Sequence, residues 1–288
     1  MQIRFLGLFL VLFFNNLASI TMANDVVCSH PEICSLAKTI LDESNTKNIE
    51  PKVAVKIAGD PHEYEPKLSE IKTLLKASVL LAGPIELNPW IKKVNYQRSK
   101  EKDLKTISLN LTQNLAQKYN NASKEVLAHF WLYPQVYCDL KSQLVHAMKD
   151  AALIPNTFTF NLNTCQSEAN LIENRLKDTL SKSPYSIILT HDALLPLFEQ
   201  AKGKDGVVAI KGSGHHHETR SDSVKKLYDF LKGPKAIWIK ETGINVPKNI
   251  LNKIRKDDFL IQIDTAKTLS SSPYSILEEL IQKIGEIK

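Results

Sequence analysis

Glycine is scarce in this chain, with ten in 288 residues, and neither G-x-x-x-x-G-K-[ST] nor G-x-G-x-x-G occurs. Both phosphate cradles depend on glycines that let backbone amides approach an anion closely. Nucleotide-driven chemistry is therefore not expected. H-E-x-x-H and G-x-S-x-G are also missing, which removes the zincin helix and the nucleophile elbow of serine hydrolases. An excess of one charge sign is nearly absent too: 37 Lys and Arg stand against 31 Asp and Glu, a formal net charge of +6. That falls short of the clustered basic stripe of a nucleic-acid binder, so no nucleic-acid partner is expected. What remains, 43% hydrophobic and 24% charged residues, is the composition of an ordinary globular protein.

Long apolar runs are limited to the start of the chain. Arg4 is the only charge among residues 1–23, and an unbroken run of ten apolar residues, FLGLFLVLFF, follows it. A stable membrane-spanning helix needs about 20 such residues. A basic start, a short apolar stretch and small residues up to Ala23 instead describe a secretory signal peptide. The expected mature chain starts near Asn24 and is exported. Four cysteines then remain, Cys28, Cys34, Cys138 and Cys165. An even number in an exported chain favours disulfides, and the absence of C-x-x-C weighs against a thiolate metal site. Three pairings are possible; proximity suggests Cys28–Cys34 and Cys138–Cys165.

Strand-like and helix-like segments alternate along the chain. In the second half, strands at 185–190, 207–210, 236–240 and 259–263 alternate with helices at 192–202, 221–231, 247–255 and 273–287. Strict alternation with short apolar strands predicts a parallel sheet covered by helices. The first half reads similarly, with strands at 25–28, 52–57, 78–82 and 105–109 and helices at 33–42, 67–77, 87–94 and 135–151. Between the halves, 165–181 reads as one helix whose apolar residues include Ala169, Ile172, Leu176 and Leu180. The expected fold is α/β, in two lobes that each hold a mostly parallel sheet flanked by helices, joined by a single long helix. The expected divisions are a signal peptide at 1–23, an N-terminal lobe at 24–160, the connecting helix at 161–183 and a C-terminal lobe at 184–288.

In open parallel sheets ligands bind beyond the carboxyl ends of the strands. Four predicted strand ends deliver imidazole or carboxylate groups: His62-Glu63 after 52–57, His191-Asp192 after 185–190, Glu241 after 236–240 and Asp264 after 259–263. His129 sits in an aromatic setting, His129-Phe130-Trp131-Leu132-Tyr133-Pro134. Alone, it reads as a hydrogen-bonded core histidine.

The ordered set of motifs reads differently. G-D-P-H-E-Y-E-P at 59–66, the apolar stretch ASVLLAGPIELNPW at 77–90, H-F-W-L-Y-P at 129–134, L-T-H-D-A at 189–193, I-K-E at 239–241 and the late I-D at 263–264 resemble, in order, the motifs of a known family. This is the family of solute-binding proteins of bacterial zinc and manganese ABC transporters. Tyr133 departs from the family's H-x-W-L-D-P, where Asp is usual. The resemblance implies a receptor, not an enzyme, that captures Zn²⁺ (Mn²⁺ as alternative) between two lobes and delivers it to a membrane permease. It implies His62 and His129 from the first lobe and His191 and Asp264 from the second as metal ligands. Neutral imidazoles with one carboxylate suit a borderline cation. Glu63, Asp192 and Glu241 are candidates for orienting those imidazoles or for replacing one of them as ligand.

Zinc-specific members of that family often carry a His- and acid-rich loop between the first two motifs, whereas 91–128 here contains no His. The triplet His215-His216-His217, after the strand 207–210, is a candidate for accessory metal capture. His30, beyond the first strand, could also face the cleft. The protein is expected to act as a monomer. Two competing readings are a zinc hydrolase, since three His and a carboxylate can hold a catalytic ion, and a surface adhesin.

Overall fold

The computed structural model describes residues 25–55, 64–109, 123–211, 221–265 and 274–287. The signal-peptide segment, His62, Glu63 and the triplet His215–His217 lie outside the described residues. Two four-stranded sheets organise the rest. In the first, β1 (Val26–Cys28) pairs in parallel with β2 (Lys52–Val53) and β3 (Val79–Ala82), and β3 pairs with β4 (Lys105–Ser108), in the order β2-β1-β3-β4. In the second, β5 (Ser186–His191) lies between β6 (Val207–Lys211) and β7 (Ala236–Glu241), and β7 pairs with β8 (Phe259–Ile263). All pairings among the described strands are parallel. The central strands are apolar along nearly their whole length, and β1, β3 and most of β5 are buried. Helices cover both faces of such sheets, so side chains pointing either way leave water.

The first lobe carries helices α1 (Pro31–Glu43), α2 (Leu68–Lys76), α3 (Ile91–Arg98), α4 (Ser123–Ala128) and α5 (Pro134–Asp150). Helix α3 starts four residues later than the apolar pattern predicts. Pro84 to Pro89 forms turns instead, with the Leu87 and Asn88 amides donating to the Pro84 carbonyl. Pro89 lacks an amide hydrogen and disfavours helical backbone in the residue before it, so the helix begins beyond it. Arg98 at the end of α3 is buried, yet its guanidinium donates to the carbonyls of Leu74 (2.9 Å), Ala77 (2.8 Å) and Lys105 (2.6 Å). It thereby closes the end of α2 and the start of β4 with one side chain.

Helix α6 (Leu162–Lys182) runs 21 residues between the two sheets in sequence, about 30 Å of rise. It starts three residues earlier than the expected 165, because the Asn161 side chain accepts the Thr164 amide at 3.1 Å and caps its first turn. Its buried residues Cys165, Ala169, Ile172, Leu176 and Leu180 form one stripe at helical spacing. That stripe packs against α5 of the first lobe and against α7 (Leu195–Lys202) and α10 (Ser275–Gly285) of the second. The Cys138 and Cys165 sulfurs meet at disulfide distance and link α5 to α6, with Cα atoms 5.8 Å apart. The Tyr274 hydroxyl lies 3.5 and 3.6 Å from these sulfurs. Burial is the first cause that pushes its pKa up to about 12. The Cys28 and Cys34 sulfurs also meet at disulfide distance, joining β1 to α1 with Cα atoms 5.5 Å apart.

The second lobe is completed by α8 (Ser221–Lys232) and α9 (Lys248–Leu251). The predicted helix over 247–255 shrinks to these four residues of α9. Arg255 is turned instead to donate to the Leu231 and Gly233 carbonyls and to the Asp258 carboxylate, which holds 252–258 as turns. Asp258 also accepts the Ala236 amide (2.9 Å) and the Trp238 indole (3.0 Å). Burial alone raises its pKa, but these donors outweigh burial and the net shift is downward.

Candidate metal site between the lobes

Strand β5 ends on His191, β7 ends on Glu241, and Asp264 directly follows β8. Three groups from one half of the chain thus emerge at the same sheet edge. His191 is 1% exposed and Glu241 2%, and the His191 Nδ1 lies 3.3 Å from Glu241 Oε2. The same carboxylate oxygen accepts the Thr265 hydroxyl at 2.8 Å, while the Glu241 amide donates to the Thr190 hydroxyl. A carboxylate held this way favours the tautomer with its proton on Nδ1, which leaves the lone pair on the buried Nε2. Asp192 Oδ1 lies 3.6 Å from that Nε2.

The first lobe meets this edge through the segment after α4. His129 precedes a short 3-10 turn, Phe130–Leu132, that Pro134 converts into α5. His129 is 5% exposed, and its ring stands edge-on to that of His191 with centroids 5.3 Å apart. Trp131 packs edge-on against His129 and donates its indole N–H to the Thr265 carbonyl at 2.6 Å. Tyr133, fully buried, donates its hydroxyl to the Ala193 carbonyl at 2.7 Å. Two imidazoles from opposite lobes are therefore brought together, beside two aromatic side chains that hydrogen-bond across the lobes.

The expected site residues fall into three groups. His129, His191, Glu241 and Asp192 come together. Asp264 lies at the same strand edge but is exposed, and it is the next residue, Thr265, that is buried in the network. His62, Glu63 and His215–His217 lie outside the described residues. Among the described residues, no three His, Cys, Asp or Glu converge closely enough to hold an ion. Sequence reasoning passed over Trp131, Tyr133, Thr190 and Thr265. Their only available signal was position, each within four residues of a motif His or strand-end acid.

Two parallel-sheet lobes joined by one helix, with buried imidazoles where they meet, define the architecture of a two-lobed solute-binding protein. The family profile described as "zinc-uptake complex component A periplasmic" matches residues 26–268, and the chain belongs to this family. Its members are substrate-binding receptors of metal ABC transporters rather than enzymes, which sets aside the hydrolase reading. Similar proteins include the "manganese ABC transporter substrate-binding lipoprotein PsaA" of Streptococcus pneumoniae serotype 4, 23% identical with 98% of each chain covered. The "iron ABC transporter substrate-binding lipoprotein MtsA" of Streptococcus pyogenes serotype M1 is 22% identical over 98% of this chain and 95% of its own. Among solved structures, the periplasmic zinc-binding protein TroA of Treponema pallidum superposes with a TM-score of 0.64 at 16% identity, covering 90% of this chain and 97% of that one.

Proposed function

We propose that this protein is a periplasmic receptor that captures Zn²⁺ between its lobes and hands it to the membrane permease of an ABC importer. The observation that carries this is the meeting of His129 and His191 from opposite lobes, buried and 5.3 Å apart. Two imidazoles pressed together in a buried crevice gain little from each other; a cation between their nitrogens would compensate for the water they lose. The ligands in this reading are His62, His129, His191 and Asp264, with Asp264 drawn in from the end of β8. Glu241 orients His191, and Glu63 and Asp192 serve to orient an imidazole or to replace one of the ligands. His215, His216 and His217 collect ions from solution.

Zinc is favoured over manganese because three neutral imidazoles make a borderline donor set, and intrinsic affinity runs from Mn²⁺ up toward Zn²⁺. The Mn²⁺ reading keeps one support, the name of the relative PsaA. The relatives named as lipoproteins raise the question of a lipid-linked cysteine; here Cys28 is fully buried in β1 with its sulfur against that of Cys34. That supports a receptor whose Cys28 carries no lipid. The testing experiment is competition between Zn²⁺ and Mn²⁺ for purified residues 24–288, monitored by calorimetry with a chelator of known affinity. Tight 1:1 Zn²⁺ binding, weakened at least a hundredfold in His129→Ala and His191→Ala, is expected. Unchanged affinity in both variants would remove the site.

A further inference from the structure

One buried histidine is not used by the motif-based site. His30 follows the end of β1, the central strand of the first sheet, and is 2% exposed. Its Nε2 is buried and makes no hydrogen bond. Its Nδ1 is in contact with Glu32 Oε2, and Glu32 is itself 2% exposed. The Glu32 amide lies 3.5 Å from the same nitrogen, at the outer limit of a hydrogen bond. In the metal-free chain Nδ1 accepts that amide as the cap of α1, and Glu32 Oε2, though in contact, makes no hydrogen bond; with a cation on Nε2 the ring proton sits on Nδ1, where Glu32 Oε2 is placed to accept it. This repeats in the first lobe the pairing of His191 Nδ1 with Glu241 in the second.

Both residues are held within a small ring. The Cys28–Cys34 pair closes the chain around them, and the Ser29 hydroxyl accepts the Gly83 amide at 2.7 Å from the end of β3. A side chain at Gly83 would press on Ser29, since a Cβ there would sit 3.3 Å from Ser29 Oγ, while 3.7 Å from His30 Cβ is ordinary contact. The His30 ring is stacked on Trp131, with centroids 5.7 Å apart and planes 24° from parallel. That same indole contacts His129 and reaches Thr265 of the other lobe. His30 therefore sits at the strand edge where the lobes meet, on the aromatic side chain that braces His129. A buried imidazole nitrogen without a partner forfeits its hydration for nothing. A cation would repay that loss.

We propose that His30 is an additional imidazole ligand of the captured divalent cation, oriented by Glu32 and pinned by the Cys28–Cys34 ring. This rests on the reading of the crevice between the lobes as the metal site. It assigns four imidazoles to the Zn²⁺ shell, those of His30, His62, His129 and His191. X-ray absorption at the zinc edge of the wild-type 1:1 complex counts them directly: four are expected, and three in His30→Asn. Asn retains an N-cap acceptor for α1, and unchanged far-ultraviolet circular dichroism and melting temperature of the metal-free variant establish that it folds. Zn²⁺ affinity is expected to fall 10- to 100-fold in His30→Asn and by a similar factor in Glu32→Gln, as for other carboxylate partners of ligating histidines. Should His30→Asn not fold, the wild-type count and Glu32→Gln carry the test. Three imidazoles in the wild-type complex, or His30→Asn affinity within twofold of wild type while His191→Ala abolishes binding, would overturn the role of His30 alone. Unchanged affinity in both His30→Asn and His191→Ala would overturn the crevice as the metal site, and this assignment with it.

Discussion

Replacing Glu241 by Gln separates stability from metal capture more sharply than any other single change. The carboxylate is 2% exposed and faces two hydrogen-bonding groups, the Thr265 hydroxyl at 2.8 Å and His191 Nδ1 at 3.3 Å. In the metal-free protein a buried carboxylate carries a desolvation penalty of several kcal/mol, offset only by those contacts and the protein field. Gln keeps the shape and one acceptor oxygen and removes the charge. The metal-free variant is therefore expected to be as stable as wild type or slightly more so, within about 1 kcal/mol. Metal binding responds oppositely. With Zn²⁺ on Nε2, the imidazole becomes more acidic at Nδ1, and the carboxylate that accepts that proton strengthens the bond. Loss of such a partner costs about 10- to 100-fold in affinity, or roughly 1.4–2.7 kcal/mol. The assay is paired thermal or urea unfolding, with and without a fixed saturating Zn²⁺ concentration. The metal-dependent gain in stability follows RT ln(1 + [Zn²⁺]/Kd), so it shrinks by the same 1.4–2.7 kcal/mol or so while the metal-free curve stays put. A variant with equal Zn²⁺ stabilisation to wild type would refute the claim that Glu241 tunes His191. A variant destabilised equally in both states would show that Glu241 is only a structural residue.

Three further outcomes follow from the geometry. Tyr133→Phe removes the fully buried hydroxyl that donates to the Ala193 carbonyl across the lobes; it should cost about 1–3 kcal/mol in chemical unfolding, and no loss would mean that water replaces the bond. Asp258 has its pKa lowered in the folded chain, so its stabilising contribution is present above the unfolded value of about 4 and is lost as pH falls through the lower folded value. The stability gap between wild type and Asp258→Asn should accordingly narrow below about pH 4 and stay constant from pH 5 to 7; a gap that widens in acid would contradict the sign of the shift. Breaking the Cys138–Cys165 link between α5 and α6, a sequence separation of 27, by a Cys→Ser pair should cost about 2–4 kcal/mol, measurable as a lower urea midpoint relative to the oxidised wild type.

Much of the second lobe was legible one strand at a time. The runs YSIILT, AIWIK and FLIQI are apolar because both faces of a parallel sheet are covered, and their ends correctly located His191, Glu241 and Asp264 at one edge. Boundaries failed where a single polar side chain reorganised the chain. Arg255 turned toward carbonyls and Asp258 ended α9 early, and the Asn161 cap extended α6 forward. Neither event leaves a periodic trace. The lateral order β6-β5-β7-β8 was not readable either, because alternation of strands and helices is the same for several strand orders.

The scarcity of glycine had excluded a backbone cradle for phosphate, and side chains do line the site. The sequence by itself determined which side chains could act: imidazoles and carboxylates at strand ends, cysteines for pairing, an apolar stripe for the long helix. Those are properties of residue type and local spacing. Tertiary structure alone decided which of them meet. His129 and His191 are far apart in the chain, yet their rings touch because Trp131 and Tyr133 hydrogen-bond across the lobes. At the end of β8 it buried Thr265 and left Asp264 exposed, since only packing against the other lobe selects one face of a strand end. It also enclosed His30 beside Glu32, where spacing alone could not tell a surface cap from a buried one.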